Sequence, residues 1–234
     1  MKMKYPSHLA IIMDGNRRWA KNRFLPAITG YIIGAKTAWK ILCTCMELNI
    51  QYLTLFSFST ENWQRTQNKQ SSHLLKFIIS YLSHHVERFH SKGIKIRIIG
   101  SKERLNENLL RMLDEVEKKT AQNSRLTLFI ALDYGGKWDI LNAAKQIVRQ
   151  VTEKRLDIEN LDEKDFAKFL ATQEAPDPEL VIRTGGEIRL SNFLLWQIAY
   201  SEIYYTPVLW PEFNEQELLK AFAAFTERQQ NFGK

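Results

Sequence analysis

The sequence predicts an α/β fold, a central and mostly parallel six-stranded sheet flanked by helices. Six short apolar runs carry β-favouring residues, and helical periodicity fills the stretches between them. Most of these runs are apolar almost without interruption, the pattern of strands covered on both faces rather than on one.

The strands are expected at 8–13 (HLAIIM), 51–58 (QYLTLFSF), 94–99 (IKIRII), 126–132 (LTLFIAL), 180–183 (LVIR) and 203–209 (IYYTPVL). Helices are expected at 31–48, 73–91, 103–122, 137–152, 162–172 and 214–231. The last is entered through Asn214 as a cap. The clearest of them places Leu74, Phe77, Ile78, Tyr81, Leu82, Val86 and Phe89 at helical spacing. The polar stretch 65–72 (RTQNKQSS) reads as a surface loop or lid, and the two prolines of 173–179 (QEAPDPE) set a turn. No repeat or linker divides the 234 residues, so residues 1–234 are expected to form one domain.

Composition narrows the class. Hydrophobic residues at 44%, with six Trp and thirteen Phe, supply a core and exclude a disordered chain. No apolar run approaches the roughly 18 residues of a membrane span, and no secretory leader is evident, so a cytoplasmic location is expected. Cys43 and Cys45 lie two apart in a helical stretch with no second pair, which suits structural roles rather than zinc ligation. The five His lack metal spacing. A net charge of +7 favours an anionic partner, which charge alone does not identify.

Four polar clusters follow expected strands: DGNRRW, STENW, DYGGKWD and RTGGEIRLSN. In a parallel sheet these ends collect ligands, so the clusters can converge. Asp14 caps the following turn or holds a divalent cation that bridges a phosphate. Gly15 permits close backbone approach, the next amides open a helix, and Arg18 can grip phosphate oxygens. Arg183, Arg189 and Ser191 around a Gly pair repeat that logic, with exposed amides as further donors, and a diphosphate suits the set. Ser59, Glu61, Asn62 and Trp63 form either a structured turn or a hydrogen-bonding wall. Glu202, acidic among apolar neighbours, either pairs with an arginine or ligates metal.

HLAIIMDGNRRWA, LFSFSTENW, LFIALDYGGKWDI and the long segment from PELVIRTGGEIRLSN to WPEF resemble the cis-prenyltransferases, the undecaprenyl diphosphate synthase family, over about residues 5–232. The resemblance implies the cis-prenyltransferase fold, a homodimer, Mg²⁺ dependence, and condensation of an allylic diphosphate with isopentenyl diphosphate. It implies Asp14 at the diphosphate and Mg²⁺ site, with Gly15, Asn16 and Arg18 cradling the allylic diphosphate. Asn16 and Asn62 would assist proton removal. Arg183, Arg189 and Ser191 would hold the second diphosphate, and Glu202 would help place Mg²⁺ there. Phe58, Ser59, Glu61 and Trp63 would wall the reacting carbons, and Arg17, Trp19, Tyr31 and Arg65 complete the substrate-contacting set. Isoprenyl diphosphates are the implied partners, with peripheral membrane contact for a lipid product and no nucleic acid.

The chain departs from the family pattern where Tyr31 replaces the usual His and Ala27 the usual Arg, both grips on the allylic diphosphate. Ile188 and Lys69 replace a His and a Glu, and Phe129 takes the place of a small Asn, where it would narrow a product tunnel if it faced one. Losing one charge-assisted bond costs about 1.5–3 kcal/mol; Arg17 or Arg23 would have to compensate. Alternatives remain: head-to-middle coupling of dimethylallyl diphosphate, as in the cyclolavandulyl-type synthases that share RRW and the Gly-Tyr pair, or a non-catalytic partner subunit.

Overall fold

The computed structural model describes residues 3–65 and 69–228, apart from the side chains of 64–65 and 69–72. The strands are β1 (His8–Ile12), β2 (Tyr52–Ser59), β3 (Ile94–Ile99), β4 (Leu126–Tyr134), β5 (Leu180–Arg183) and β6 (Glu202–Tyr205). They form a single sheet in the order β3-β4-β2-β1-β5-β6, and every pairing is parallel. The chain leaves β1 for β2 on one side and returns to β5 on the other, so a crevice opens beyond the carboxyl end of β1.

Around the sheet lie α1 (Asn16–Lys21), α2 (Ala27–Glu47), α3 (Asn62–Arg65), α4 (Lys69–His84), α5 (Val86–Ser91), α6 (Glu107–Thr120), α7 (Gly136–Thr152), α8 (Glu163–Ala167) and α9 (Glu215–Arg228). Alternation along the strands divides the interior in two. Leu9, Ile11, Leu128 and Ile130 face a large cluster that includes Ile41, Leu75, Ile79, Leu113 and Phe222. Ala10, Ile12, Phe129 and Ala131 face a smaller one with Tyr134, Phe193 and Ile198.

Several boundaries move for identifiable reasons. The helix expected from 103 begins at Glu107, because the Asn106 side chain accepts from the Leu109 amide and caps it. Asn214 likewise accepts from the Glu217 amide at the start of α9. The helix expected over 162–172 stops at Ala167, and farther on the Ala171 amide donates to the Asp139 carboxylate instead of a helical carbonyl. β6 begins at Glu202 and ends at Tyr205; Thr206 still donates its amide to Arg183, but Pro207 has none to continue the ladder. The single helix expected at 73–91 is two helices parted at His85, a break that no Pro or Gly explains. The lid expected at 65–72 falls on residues 66–68 and on side chains outside the described residues.

Phe129 points away from the face that carries Leu128 and Ile130 and lies buried near His8, with ring centroids 6.1 Å apart. It therefore narrows no space on the large-cluster side. His8 donates or accepts at both ring nitrogens, to the Pro176 carbonyl and the Thr54 hydroxyl. Burial lowers its pKa to about 4, partly opposed by the Pro176 bond, so the ring is a neutral structural tie between strands. Cys45 is buried and Cys43 half-buried on α2, burial raising both thiols above their usual range.

Candidate active site

The carboxyl end of β1 delivers Asp14 into a network of fixed donors. Its Oδ2 accepts from Arg183 Nη2 at 3.0 Å and its Oδ1 lies 3.3 Å from Arg18 Nη2. Its backbone carbonyl accepts from the Thr184 hydroxyl at 2.8 Å and the Trp210 amide at 3.0 Å. Gly15 turns the chain into α1 with φ +113°, and a Cβ there would sit 2.9 Å from Leu209 Cδ2, so both conformation and space demand glycine. The opening amides of α1 have no acceptor within the helix, as at any helix start.

Arg183, only 4% exposed at the end of β5, donates through Nη1 to the Ser191 hydroxyl at 2.7 Å and to the Arg189 carbonyl. Among the described residues, its Nε is buried without a partner, and so is Asn16 Oδ1. A buried donor left unsatisfied costs about 1–3 kcal/mol, which an anionic oxygen would relieve. Ser191 and Asn192 adopt φ +51° and +63°, a tight turn that aims the Ser191 hydroxyl back at Arg183. The Gly pair differs from expectation. The Gly185 amide donates to Val208 and that of Gly186 to Thr206, so neither is offered to an anion. Gly185 instead lets Arg18 come close, since a Cβ there would lie 2.6 Å from its Nη2.

Asp14, Gly15, Asn16, Arg17, Arg18, Tyr31, Phe58, Ser59, Asn62, Arg183 and Ser191 all line one cavity of about 800 Å³. Burial raises the Tyr31 phenol, the nearby Arg17 opposing it and Asp14 adding to it, so the ring is a neutral hydrogen-bonding group at the mouth. Asn62 Oδ1 accepts from the Ser59 amide at 2.7 Å, which fixes its amide group. From the mouth the cavity runs beneath α2 and α4 to Trp39, Phe89, Leu128 and Ile130, so its head is charged and its depth apolar.

Other expected site residues stand apart from that cavity. Trp19 packs under the Arg23 guanidinium at 4.5 Å, and Arg23 pairs with Glu212 at 2.5 Å, so Arg23 is not the compensating cation. Glu61 accepts from Asn192 at 2.7 Å; burial raises its carboxyl, but hydrogen bonds from Asn192, its own backbone, Ser59 and Thr60 outweigh that and leave it below the usual range. Trp63 donates to Asp133 at 2.9 Å and packs edge-on against Phe58, bracing the wall from behind. Arg189 points outward and pairs with Glu187. The Arg65 side chain lies outside the described residues.

Glu202 stands apart from Asp14. It pairs with Leu180 at the amino end of the sheet, whereas Asp14 lies beyond Ile12, the partner of Arg183. About 10 Å of strand separates the two levels, and Glu202 is paired with Arg228 at 3.2 Å. Within one chain it does not join Asp14 around a metal. Asp14 is the one carboxylate among the described residues that line the cavity, and no cluster of three His, Cys, Asp or Glu among the described residues offers a protein-only cage. One carboxylate completed by substrate phosphate oxygens is a donor set that Mg²⁺ accepts.

The model of the prenyltransferase family described as undecaprenyl diphosphate synthase matches residues 12–233. The chain belongs to this cis-prenyltransferase family. An isoprenyl transferase of Neisseria meningitidis is 45% identical over 229 residues, 98% of this chain and 90% of that protein. The ditrans,polycis-undecaprenyl-diphosphate synthase of Vibrio vulnificus, specific for (2E,6E)-farnesyl diphosphate, is 42% identical over 97% of this chain and 90% of its own length. The crystal structure of lavandulyl diphosphate synthase from Lavandula x intermedia, in complex with dimethylallyl diphosphate, superposes with a TM-score of 0.89 at 35% identity, covering 94% and 95% of the two chains. This cis-prenyltransferase is thus an isoprenyl-transferring enzyme.

Sequence reasoning missed several residues that line or brace the site. Trp39 and Leu42 on α2 and His73 on α4 line the cavity, and Asn192 joins three loops by accepting from the Lys137 and Gly136 amides and donating to Glu61. The asparagine after RLS was the available signal, because its short amide side chain tolerates positive φ in a turn.

Proposed function

We propose that the protein makes a long cis-polyprenyl diphosphate, of the undecaprenyl type, by adding isopentenyl diphosphate to farnesyl diphosphate. The observation that carries this reading is the apolar depth of the cavity, which begins at Asp14 and Arg18 and reaches Phe89 and Leu128. A site for small branched products needs no such length.

In the proposed reaction, the allylic C–O bond breaks, a C–C bond forms to the terminal alkene carbon of isopentenyl diphosphate, and the methylene next to the resulting tertiary cation loses a proton to the departing diphosphate, which restores a double bond. Asn16, Arg17 and Arg18 hold the departing diphosphate, Arg17 supplying a cation where Ala27 and Tyr31 lack one. Arg183 and Ser191 hold the second diphosphate, and Arg189 swings inward to it once freed from Glu187. Asn62 and Asn16 accept hydrogen bonds near the proton that leaves. Alignment of two bound reactants supplies much of the rate. Mg²⁺ held by Asp14 would neutralise charge on the diphosphate as it departs.

The reading includes a homodimer in the cytoplasm with peripheral membrane contact; no helix among the described residues is long and apolar enough to cross a membrane. A second reading, head-to-middle coupling of dimethylallyl diphosphate, is supported by the likeness to lavandulyl diphosphate synthase and by Ala27 and Tyr31 at the mouth. Mass spectrometry of products separates them. Long products from farnesyl plus isopentenyl diphosphate are expected, whereas a branched ten-carbon product from dimethylallyl diphosphate alone would replace this reading with the second. No product from either would assign the chain to a non-catalytic subunit.

A further inference from the structure

From the end of α1 to the start of α2, residues Lys21 to Ile28 are all exposed. Phe24 is 98% exposed, and Leu25, Ile28 and Ile32 are also exposed. Phe24 is held at φ +56°, a conformation that bulky residues rarely adopt, and strain of that kind collects at functional surfaces. Beside it a hollow of about 420 Å³ is lined by Arg17, Arg18, Lys21, Phe24, Leu25 and Ala27. Arg17, Arg18, Ala27 and Ile28 also line the mouth of the long cavity.

The charges here are unbalanced. Arg18 pairs with Asp14 and Arg23 with Glu212, but no carboxylate among the described residues lies within 4.0 Å of a side-chain nitrogen of Arg17 or Lys21. A projecting apolar cluster beside unpaired cations is the arrangement that binds the surface of an anionic bilayer, where apolar insertion and lipid charge act together.

We propose that the α1–α2 junction is the membrane-docking surface of the enzyme: Phe24 and Leu25 enter the headgroup region of an anionic bilayer while Lys21 meets lipid phosphates. This rests on the proposed function, because a mouth pressed against a bilayer lets an apolar product chain leave the cavity without crossing water. The same contact would present amphiphilic allylic substrate to Arg17 and Arg18.

The test is cosedimentation of the purified protein, without substrate, with vesicles of phosphatidylcholine alone or mixed with equal parts of phosphatidylglycerol. The wild type is expected to bind the mixed vesicles and largely ignore the neutral ones. Phe24→Asn combined with Leu25→Ser should weaken binding at least tenfold; asparagine tolerates the positive φ, so the fold is retained. Lys21→Gln should weaken it about fivefold, the effect of one cation near an anionic surface. Variants that bind as the wild type does, or a wild type that ignores mixed vesicles, would overturn the proposal. An altered sedimentation coefficient with unchanged vesicle binding would assign the patch to a second copy and also overturn it. Turnover of farnesyl and isopentenyl diphosphate in detergent, measured on the same proteins, is expected to be unchanged by these substitutions. Its absence from the wild type would refute the proposed function without affecting the vesicle result.

Discussion

Gly34→Ala adds one methyl group to α2 and should separate stability from activity. A Cβ at position 34 would lie 2.2 Å from Asn16 Oδ1 and 3.0 Å from Trp210 Cδ1, well inside normal contact. Trp210 is held by its own bond to the Gly34 carbonyl at 2.9 Å, so the Asn16 side chain is the part that gives way, by about 1 Å. Alanine in a helix interior gains about 1 kcal/mol over glycine, which offsets much of the local repacking, and the melting temperature should stay within about 4 °C of wild type. Misplacing a substrate-positioning group by about 1 Å costs about 100-fold in rate, so kcat/KM should fall by about that factor. Circular dichroism melting and a continuous diphosphate-release assay on the same preparation measure the two effects. A stable variant with near-normal kcat/KM would refute the reasoning that Asn16 acts from a fixed position. Gly30→Ala is the internal contrast: its Cβ would meet the Asn16 backbone oxygen at 2.1 Å, which cannot swing aside, so stability should fall too.

Asp14→Ala should abolish measurable turnover, because it removes the shared acceptor of Arg18 and Arg183; substantial diphosphate release would overturn its assignment. Glu202→Gln should leave the Mg²⁺ concentration for half-maximal rate unchanged while Asp14→Asn raises it, and a large shift for Glu202→Gln would show that its carboxylate reaches a metal through another subunit. Asp133 is buried with one carboxylate oxygen that has no partner among the described residues, and burial raises its pKa, Arg104 and Trp63 opposing. The folded state therefore holds that proton more tightly than the unfolded chain, so its contribution falls as pH rises from the unfolded value of about 3.9 and remains unfavourable at neutral pH. Asp133→Asn should accordingly raise the melting temperature by about 2–4 °C at neutral pH, for roughly 1 kcal/mol, and by less in acid; an equal gain at both pH values would show that ionisation is not the cause.

The sheet was legible because short strands buried on both faces are apolar almost throughout, as in the LAII of β1 and the LVI of β5. That same property hid Phe129: where both faces are apolar, alternation does not reveal which one a side chain takes. Asp133 ends an apolar strand without breaking it because Trp63 and Arg104 satisfy one of its oxygens. The start of α1 was expected after Gly15, but its extent was not legible, since its six residues bury only Ala20. At the site, the conjunction of Asp14 with Arg18, Arg183 and Ser191 followed from chemistry at strand ends. The place of Glu202 did not, because an acidic residue among apolar ones reports partial burial but not strand register. Arg23 and Trp19 were similarly ambiguous until their mutual stacking removed both from the cavity.

Leu74, Phe77, Ile78 and Tyr81 have the spacing of a core-facing stripe, yet all four line the cavity. Periodicity records that a face avoids water, not that protein fills the space before it. If the polyprenyl chain lies there, the growing lipid is packing material, and α4 closes on each added unit as on another core side chain. The fold then has a different stability at each stage of catalysis, greatest when the chain is longest. Product release becomes a local unfolding problem as much as a binding one.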